Sequence, residues 1–336
     1  MPPRLRVVLI GAGRVGSRFD EEEGRRQVWS HGGAYLALSN AFVVTDICDP
    51  SPENLTAARK RFPEARYWSD VAAITDPSAD VVSICTPAPE HRPVLEQVLN
   101  WPHPPKAIWC EKPLSDSLKD AAWMVAACER QNISLVVSHT RRWLPIWCKV
   151  RDLVRNGNIG QTVSVRISMP NRLWTIGAHA VDLCLMLGGT PAEVSALAHL
   201  ELTEDNEPAF SFLIRFKEGG YGIVQTTGLK QNLVVEAEVI GSTGRIMAKE
   251  SDGSLVIEEF VPSKSYADYR ELLEKGRQTI DNADMVSPFV EIAREVAELA
   301  IGKKTEPTCS GRQALESIRV LAAAPELAAR NSQAGF

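Results

Sequence analysis

The stretch RVVLIGAGRVG, residues 6–16, constrains this chain more than any other. A short β-like run leads directly into Gly11, Gly13 and Gly16, spaced as G-x-G-x-x-G. Glycines at that spacing permit a tight turn, let backbone N–H groups approach a pyrophosphate, and let the following helix lie close to the strand. Alone the pattern is weak, and its weight comes from standing at the head of an alternating α/β region. AFVVTDICD (41–49), VVSICT (81–86), AIWC (107–110) and SLVVSH (134–139) follow as apolar, β-like runs. Between them lie helical stretches: HGGAYLALS, PENLTAARKRF with Ser51 as its N-cap, PVLEQVLN and SDSLKDAAWMVAACERQ. Buried strands separated by helices predict a parallel sheet covered on both faces.

After a helix around 145–156 the character changes. TVSVRIS, AEVSALAHLEL, AFSFLIRF, YGIVQTT, VVEAEVIGSTGRIMAKE and SLVIEEFV are longer and partly alternating, as strands with one wet face are. Two helices, roughly 285–302 and 311–330, finish the chain. A length of 336 residues suits two domains. The expected architecture is α/β: an N-terminal Rossmann doubly wound parallel sheet over 1–140, then a C-terminal α/β domain over 141–336. The second domain is expected to carry a mostly antiparallel sheet through which the chain oligomerises.

Composition excludes several classes. A net charge of −5, with no basic stripe interleaved with aromatics, argues against a nucleic-acid surface. No apolar run approaches the ~20 residues that span a bilayer. The opening MPPRLRVVLIGAG is too short for a signal peptide and runs into the glycine motif instead of a cleavage site. The seven cysteines include no CxxC pair, so buried thiols in a reducing cytoplasm are expected, with no metal site.

An acid at the end of the second strand would hold ribose hydroxyls, and Asp49 in ICDP has that place. Its carboxylate would repel a 2′-phosphate, which favours NAD over NADP. Its distance from the glycines is lengthened by the hydrophilic stretch RFDEEEGRRQVWS, read as an inserted loop within 17–30. Asp46 is a rival, but it lies mid-strand. CTPAPEH (85–91) and CEKPLS (110–115) follow the fourth and fifth strands, at the sheet edge where ligands bind in doubly wound folds. Far downstream, GAHAVD sets His179 and Asp182 three apart, on one helix face.

GAGRVG, ICDP, TPAPEH, CEKP, SHTRRWLP, NGNIG and GAHAVD, in that order, resemble the Gfo/Idh/MocA oxidoreductases, a family that includes glucose–fructose oxidoreductase and inositol dehydrogenase. The resemblance covers nearly the whole chain, and CEKP followed by GxHxxD is its specific part. It implies a Rossmann domain followed by a substrate-binding α/β domain with a large open sheet, that Lys112 contacts substrate and nicotinamide, that His179 transfers the proton, and that Asp182 supports His179. The cofactor candidates are Gly11, Gly13, Arg14, Val15, Gly16, Asp49, Thr86, Pro87, His91, Glu111 and Lys112. The substrate candidates are Lys112, Arg142, Thr175 and His179. Many members carry Asp four residues before the His, and this chain has Thr175. Threonine can cap the helix, but it supplies no charge to the lysine, whose pKa should fall.

Arg141 and Arg142 suit an anion or a structural salt bridge about equally. Trp143, Trp147 and Trp174 suit core packing better than sugar stacking. His31 opens a helix where it can line the site, and His103 and His199 read as structural or exposed. The expected activity is hydride transfer between NAD and a secondary alcohol of a sugar, a sugar derivative such as a nucleotide sugar, or a cyclitol. The alternatives are a silent NAD-dependent sugar sensor, favoured by Thr175, and a non-redox enzyme that recycles bound NAD. The expected setting is a cytoplasmic homodimer or homotetramer.

Overall fold

A computed structural model describes residues 3–22, 24, 27–170, 172–199, 209–226, 233–280 and 287–333. The first sheet comprises β1 (Leu5–Ile10), β2 (Phe42–Cys48), β3 (Arg66–Trp68), β4 (Val81–Ile84), β5 (Ala107–Cys110) and β6 (Ser134–Val137). Every pairing is parallel, in the order β3-β2-β1-β4-β5-β6. The order reverses between β1 and β4, the switch point beside which such sheets take ligands. All four residues of β4 and of β5 are buried, as a sheet covered on both faces requires. The connecting helices are α1 (His31–Ala37), α2 (Pro52–Arg61), α3 (Ala88–Leu99) and α4 (Leu118–Arg130). Ser30, Ser51 and Ser117 cap α1, α2 and α4 by accepting the backbone N–H of Gly33, Asn54 and Asp120. The sequence count leaves a place for a third strand but does not locate β3, because three residues are too few to carry a period.

The second sheet has eight strands: β7 (Thr162–Met169), β8 (Pro191–His199), β9 (Ala209–Phe216), β10 (Tyr221–Thr226), β11 (Glu236–Gly241), β12 (Gly244–Lys249), β13 (Ser254–Pro262) and β14 (Arg270–Thr279). Their order is β14-β13-β12-β11-β7-β10-β9-β8, antiparallel throughout except for β7 with β10. This matches the open, mostly antiparallel sheet expected. The run VVEAEVIGSTGRIMAKE is not one strand but the β11–β12 hairpin, turning at Ser242 and Thr243.

Helices α5 (Pro145–Arg155) and α6 (Gly177–Gly188) join this sheet, and α6 packs on β7 and β10. Nearly every α6 residue is buried. Its close approach depends on two glycines: a Cβ on Gly188 would stand 2.1 Å from the Phe216 ring, and one on Gly222 would stand 2.4 Å from Cys184 Sγ. The other face of the sheet exposes Leu197 (58%), Leu213 (51%) and Tyr221 (43%) beside a ladder of ion pairs, Arg166–Glu238–Arg245–Glu258.

The chain ends with α7 (Pro288–Ala300) and α8 (Gly311–Gln333). It forms two compact units, Met1–Trp143 with Val286–Ile318, and Leu144–Met285 with Arg319–Phe336. The sequence expectation gave everything after 140 to the second domain. Residues 286–318 instead complete the first unit, because α7 buries Phe289, Ile292, Ala293 and Val296 in packing against α1 and β5. Ser310 also bridges to Val136, while Cys309 O accepts the Val137 N–H. No helix among the described residues is long and apolar enough to cross a membrane.

Candidate cofactor and catalytic sites

The glycine turn closes the ligand edge of β1. Gly11 has φ +90°, and a Cβ there would lie 2.7 Å from the Cys85 carbonyl carbon. A Cβ on Gly16 would lie 1.9 Å from Gly11 O. Both positions are glycine because the protein's own backbone fills the space. Gly13 differs: its Cβ would meet only Asn54 Nδ2, at an ordinary 3.7 Å. Nothing in the fold demands glycine there, whereas close approach of a pyrophosphate does. Thr86, just beyond β4, gives a second sign. Its Oγ1 is buried without a hydrogen-bond partner among the described residues, as a hydroxyl reserved for a ligand would be. A dinucleotide therefore fits the residues present. Pro87 follows as the N-cap of α3.

Asp49 is 5% exposed. Its Oδ2 accepts the Ala12 N–H at 2.7 Å, and its Oδ1 accepts Ser51 N at 2.8 Å and Asn54 Nδ2 at 3.1 Å. It thus ties the glycine turn to the head of α2, and a carboxylate's four acceptor positions leave room for one more donor. The rival Asp46 is fully buried and committed elsewhere, to Trp68 Nε1 at 2.8 Å and Arg66 Nη2 at 2.9 Å. These bonds explain how a mid-strand acid is tolerated.

The 17–30 segment grows out of the turn rather than following a finished helix. The Val15 and Gly16 carbonyls accept the N–H groups of His31 and Gly32, so the helix resumes where the insertion returns. Asp20 anchors the excursion by accepting from Trp29 N, Ser30 Oγ and Arg61 Nη2. Arg14 is drawn outward to Glu22, with its guanidinium 3.9 Å over the Phe19 ring.

Glu111 and Lys112 follow β5, with a cis Lys112–Pro113 bond. Glu111 accepts His31 Nε2–H at 3.0 Å and the Lys112 backbone N–H at 3.2 Å. Burial pushes its carboxyl up, but the hydrogen bond from His31, the charge of Lys112 and a bond from Ser138 hold it below the usual range.

Three expected contacts are corrected. His91 is 1% exposed, and its ring spans the Thr86 and Leu114 carbonyls at 2.8 and 3.1 Å. It ties the two ligand-edge loops together rather than presenting an edge to a cofactor. Arg142 is 3% exposed and donates to Thr308 O at 3.0 Å, a bond inside the first unit rather than a substrate contact. His31 does not line a cleft; it is wholly buried. The signal available in the sequence was the polar residue inside each apolar run, Ser83 in VVSI and Ser138 in LVVSH. Such groups must find buried partners.

His179 and Asp182 belong to the second unit. They are 9% and 1% exposed on α6, three residues apart and on one face. Thr175 does not cap this helix. The N-cap is Ile176, without a side-chain bond, and Thr175 is exposed in the preceding turn. Trp147 is core, with Nε1 bonded to Glu250 at 2.7 Å. Trp143, in the first unit, bonds Glu295 at 3.0 Å. His103 is exposed and 3.2 Å from Asp76. The side chain of His199 lies outside the described residues.

Comparison with known proteins identifies the family of both parts of the chain. Residues 5–139 match the family model described as Gfo/Idh/MocA oxidoreductase family, NAD-binding Rossmann fold. Residues 171–247 match the Gfo/Idh/MocA C-terminal domain. A D-apiose dehydrogenase of Paraburkholderia graminis is 36% identical over 140 residues, 41% of this chain and 36% of that protein. The chain thus matches about a third of that relative's length. A myo-inositol 2-dehydrogenase of Thermotoga maritima is 25% identical over 270 residues, 73% of this chain and 75% of that protein. Among solved structures, levoglucosan dehydrogenase in complex with NADH and L-sorbose superposes with a TM-score of 0.77 at 22% identity, over 97% of both chains. The WlbA dehydrogenase of Bordetella pertussis, in complex with NADH and UDP-GlcNAcA, gives 0.75 at 20% identity over 98% of both.

Proposed function

This chain belongs to the Gfo/Idh/MocA family of NAD-binding oxidoreductases, and from that premise we propose that it transfers a hydride between NAD and a secondary alcohol of a sugar, sugar derivative or cyclitol. The observation that carries the reading is a cradle shaped for a dinucleotide, free at Gly13 and Thr86 Oγ1, on the same sheet edge as Lys112. When bound, the nicotinamide supplies the hydride acceptor or donor.

The protein's own groups do the rest. Lys112 orients the alcohol and stabilises the oxygen as it gains negative charge. His179 takes the hydroxyl proton as general base, and Asp182 supports its imidazole. Asp49 receives the ribose hydroxyls at its remaining acceptor position and disfavours a 2′-phosphate. Relatives named for D-apiose and myo-inositol support a polyol substrate.

The apolar patch at Leu197, Leu213 and Tyr221 supports a homodimer or homotetramer built on the open sheet face. Light scattering at micromolar concentration checks this, and a monomer there contradicts it. Seven free thiols, with burial pushing Cys48 up to about 12, support a cytoplasmic setting. The direct experiment is a panel of sugars, nucleotide sugars and cyclitols incubated with NAD while NADH absorbance is followed. At least one polyol should yield NADH. Failure of the whole panel by protein that binds NAD would favour the silent sensor instead.

A further inference from the structure

A file of buried polar side chains crosses the first unit and ends beside Lys112. Tyr35 on α1 is 2% exposed, Ser83 in β4 and His31 at the start of α1 are fully buried, and Glu111 is 9% exposed. Tyr35 Oη lies 2.6 Å from Ser83 Oγ, Ser83 Oγ lies 3.0 Å from His31 Nδ1, and His31 Nε2 lies 3.0 Å from Glu111 Oε1.

Chemistry fixes the direction of every bond. A carboxylate only accepts, so His31 Nε2 carries a hydrogen. Burial holds the imidazole below its usual value against the pull of Glu111, so the ring is neutral and Nδ1 accepts. Ser83 therefore donates to Nδ1, and Tyr35 donates to Ser83. Burial raises the Tyr35 phenol, which keeps its proton. The plane of the ring is set by Trp109, stacked at 3.6 Å, and by Phe289, edge-on at 5.7 Å.

At the far end, the other Glu111 oxygen accepts the backbone N–H of Lys112 at 3.2 Å. The Ser138 hydroxyl also bonds this carboxylate, and Ser138 in turn accepts Trp109 Nε1–H at 2.7 Å. The titratable groups around Glu111 are His31 from α1, His91 from α3, Lys112 on its own loop, and the thiols of Cys85 and Cys110. Burial keeps His91 neutral and both thiols protonated.

We propose that His31 is a positioning residue for Lys112: locked as its Nε2–H tautomer by Ser83 and Tyr35, it holds Glu111 as a fixed carboxylate, and Glu111 fixes the backbone and the charge of Lys112. The proposal rests on the role given to Lys112 above. It also supplies, from the lysine's own loop, the negative charge that Thr175 does not.

The test is NMR of the whole chain labelled with ¹⁵N-histidine and ¹³C-glutamate, with Glu111 assigned through Glu111→Gln. In the native protein, His31 should be a single Nε2–H tautomer near neutral pH, and Glu111 should titrate below the ordinary glutamate value of about 4.3. His31→Phe keeps a ring against Trp109 and removes the donor. It should raise the Glu111 midpoint by about 1–3 pH units. His31→Gln, with an amide N–H to offer, should restore most of the shift. Ser83→Ala removes the hydroxyl that donates to Nδ1 while the carboxylate keeps the hydrogen on Nε2; it should move the His31 Nδ1 resonance toward that of an unbonded acceptor nitrogen, which keeps the test alive if His31→Phe does not fold. A native His31 protonated on Nδ1, a Glu111 midpoint that His31→Phe does not move, or an Nδ1 resonance that Ser83→Ala leaves unmoved would overturn the proposal. Failure of the Lys112 role alone would look different: native turnover in Lys112→Ala with these titrations intact.

Discussion

Gly11 and Gly13 sit two residues apart in one motif and are glycine for opposite reasons. A side chain at Gly11 collides with the Cys85 backbone in a left-handed conformation, whereas one at Gly13 meets ordinary space. Gly11→Ala should therefore destabilise the protein by about 1–3 kcal/mol. Gly13→Ala should change stability by less than about 0.5 kcal/mol while weakening NAD binding. Urea unfolding and NAD titration calorimetry on both variants separate the two effects, and a Gly13→Ala protein that binds NAD as tightly as native contradicts the cradle. The carboxylate of Asp49 makes a second prediction: NAD should bind more tightly than NADP, and Asp49→Ala should narrow the gap. Because Asp49 also holds the Ala12 N–H, this variant should lose about 1–3 kcal/mol of stability as well. Calorimetry showing equal native affinity for the two cofactors contradicts the ribose role. At this scale the motif residues were readable from type and position. The partners of Asp46, His31 and His91 were not, because each is bonded to a residue at least five positions, and up to 80, away in sequence.

At the scale of elements, apolar periodicity served well where burial governs and failed where it does not. AIWC is β5 residue for residue, and α2 begins at the cap its sequence announces. β14 shows the failure. RELLEKGRQT is rich in good helix formers and has no strand period, yet it pairs with β13 through nine residue pairs. Both of its faces are largely exposed, so hydrogen bonding along an edge and charge pairs such as Lys275–Glu259 replace burial as the determinant. The helix α6 was legible as buried, but its start was not: Thr175 has a cap-forming side chain one residue too early. The closeness of α6 to its sheet makes Gly188 sensitive. Gly188→Ala forces a methyl into the Phe216 ring and should cost about 1–3 kcal/mol. Urea denaturation would contradict this if the variant unfolded at the native midpoint.

For the whole molecule, the return of residues 286–318 to the first unit could not be read from the alternation of elements, since α7 is amphipathic wherever it docks. The buried network of the first unit should govern stability against acid. His31 and His91 are held neutral by burial, so below about pH 6.5 the unfolded chain binds protons that the folded chain refuses. Glu111 is depressed when folded, so its contribution is present above the ordinary glutamate range and lost as pH falls through its folded value. Stability should therefore be level above about pH 7 and decline steadily below about 6.5; equal urea midpoints at about pH 8 and 5 would contradict it.

The claim on which the rest depends is that His179 and Lys112 perform the proton and charge work of hydride transfer. It is tested most directly by single-turnover NADH formation, with the best polyol from the substrate panel, in native, His179→Ala and Lys112→Ala proteins at matched NAD occupancy. The account predicts about a 10²–10⁴-fold slower hydride step in His179→Ala, a comparably large loss in Lys112→Ala, and native NAD affinity in both. A hydride step at the native rate in His179→Ala would contradict it, and the histidine of α6 would then be a packed core residue.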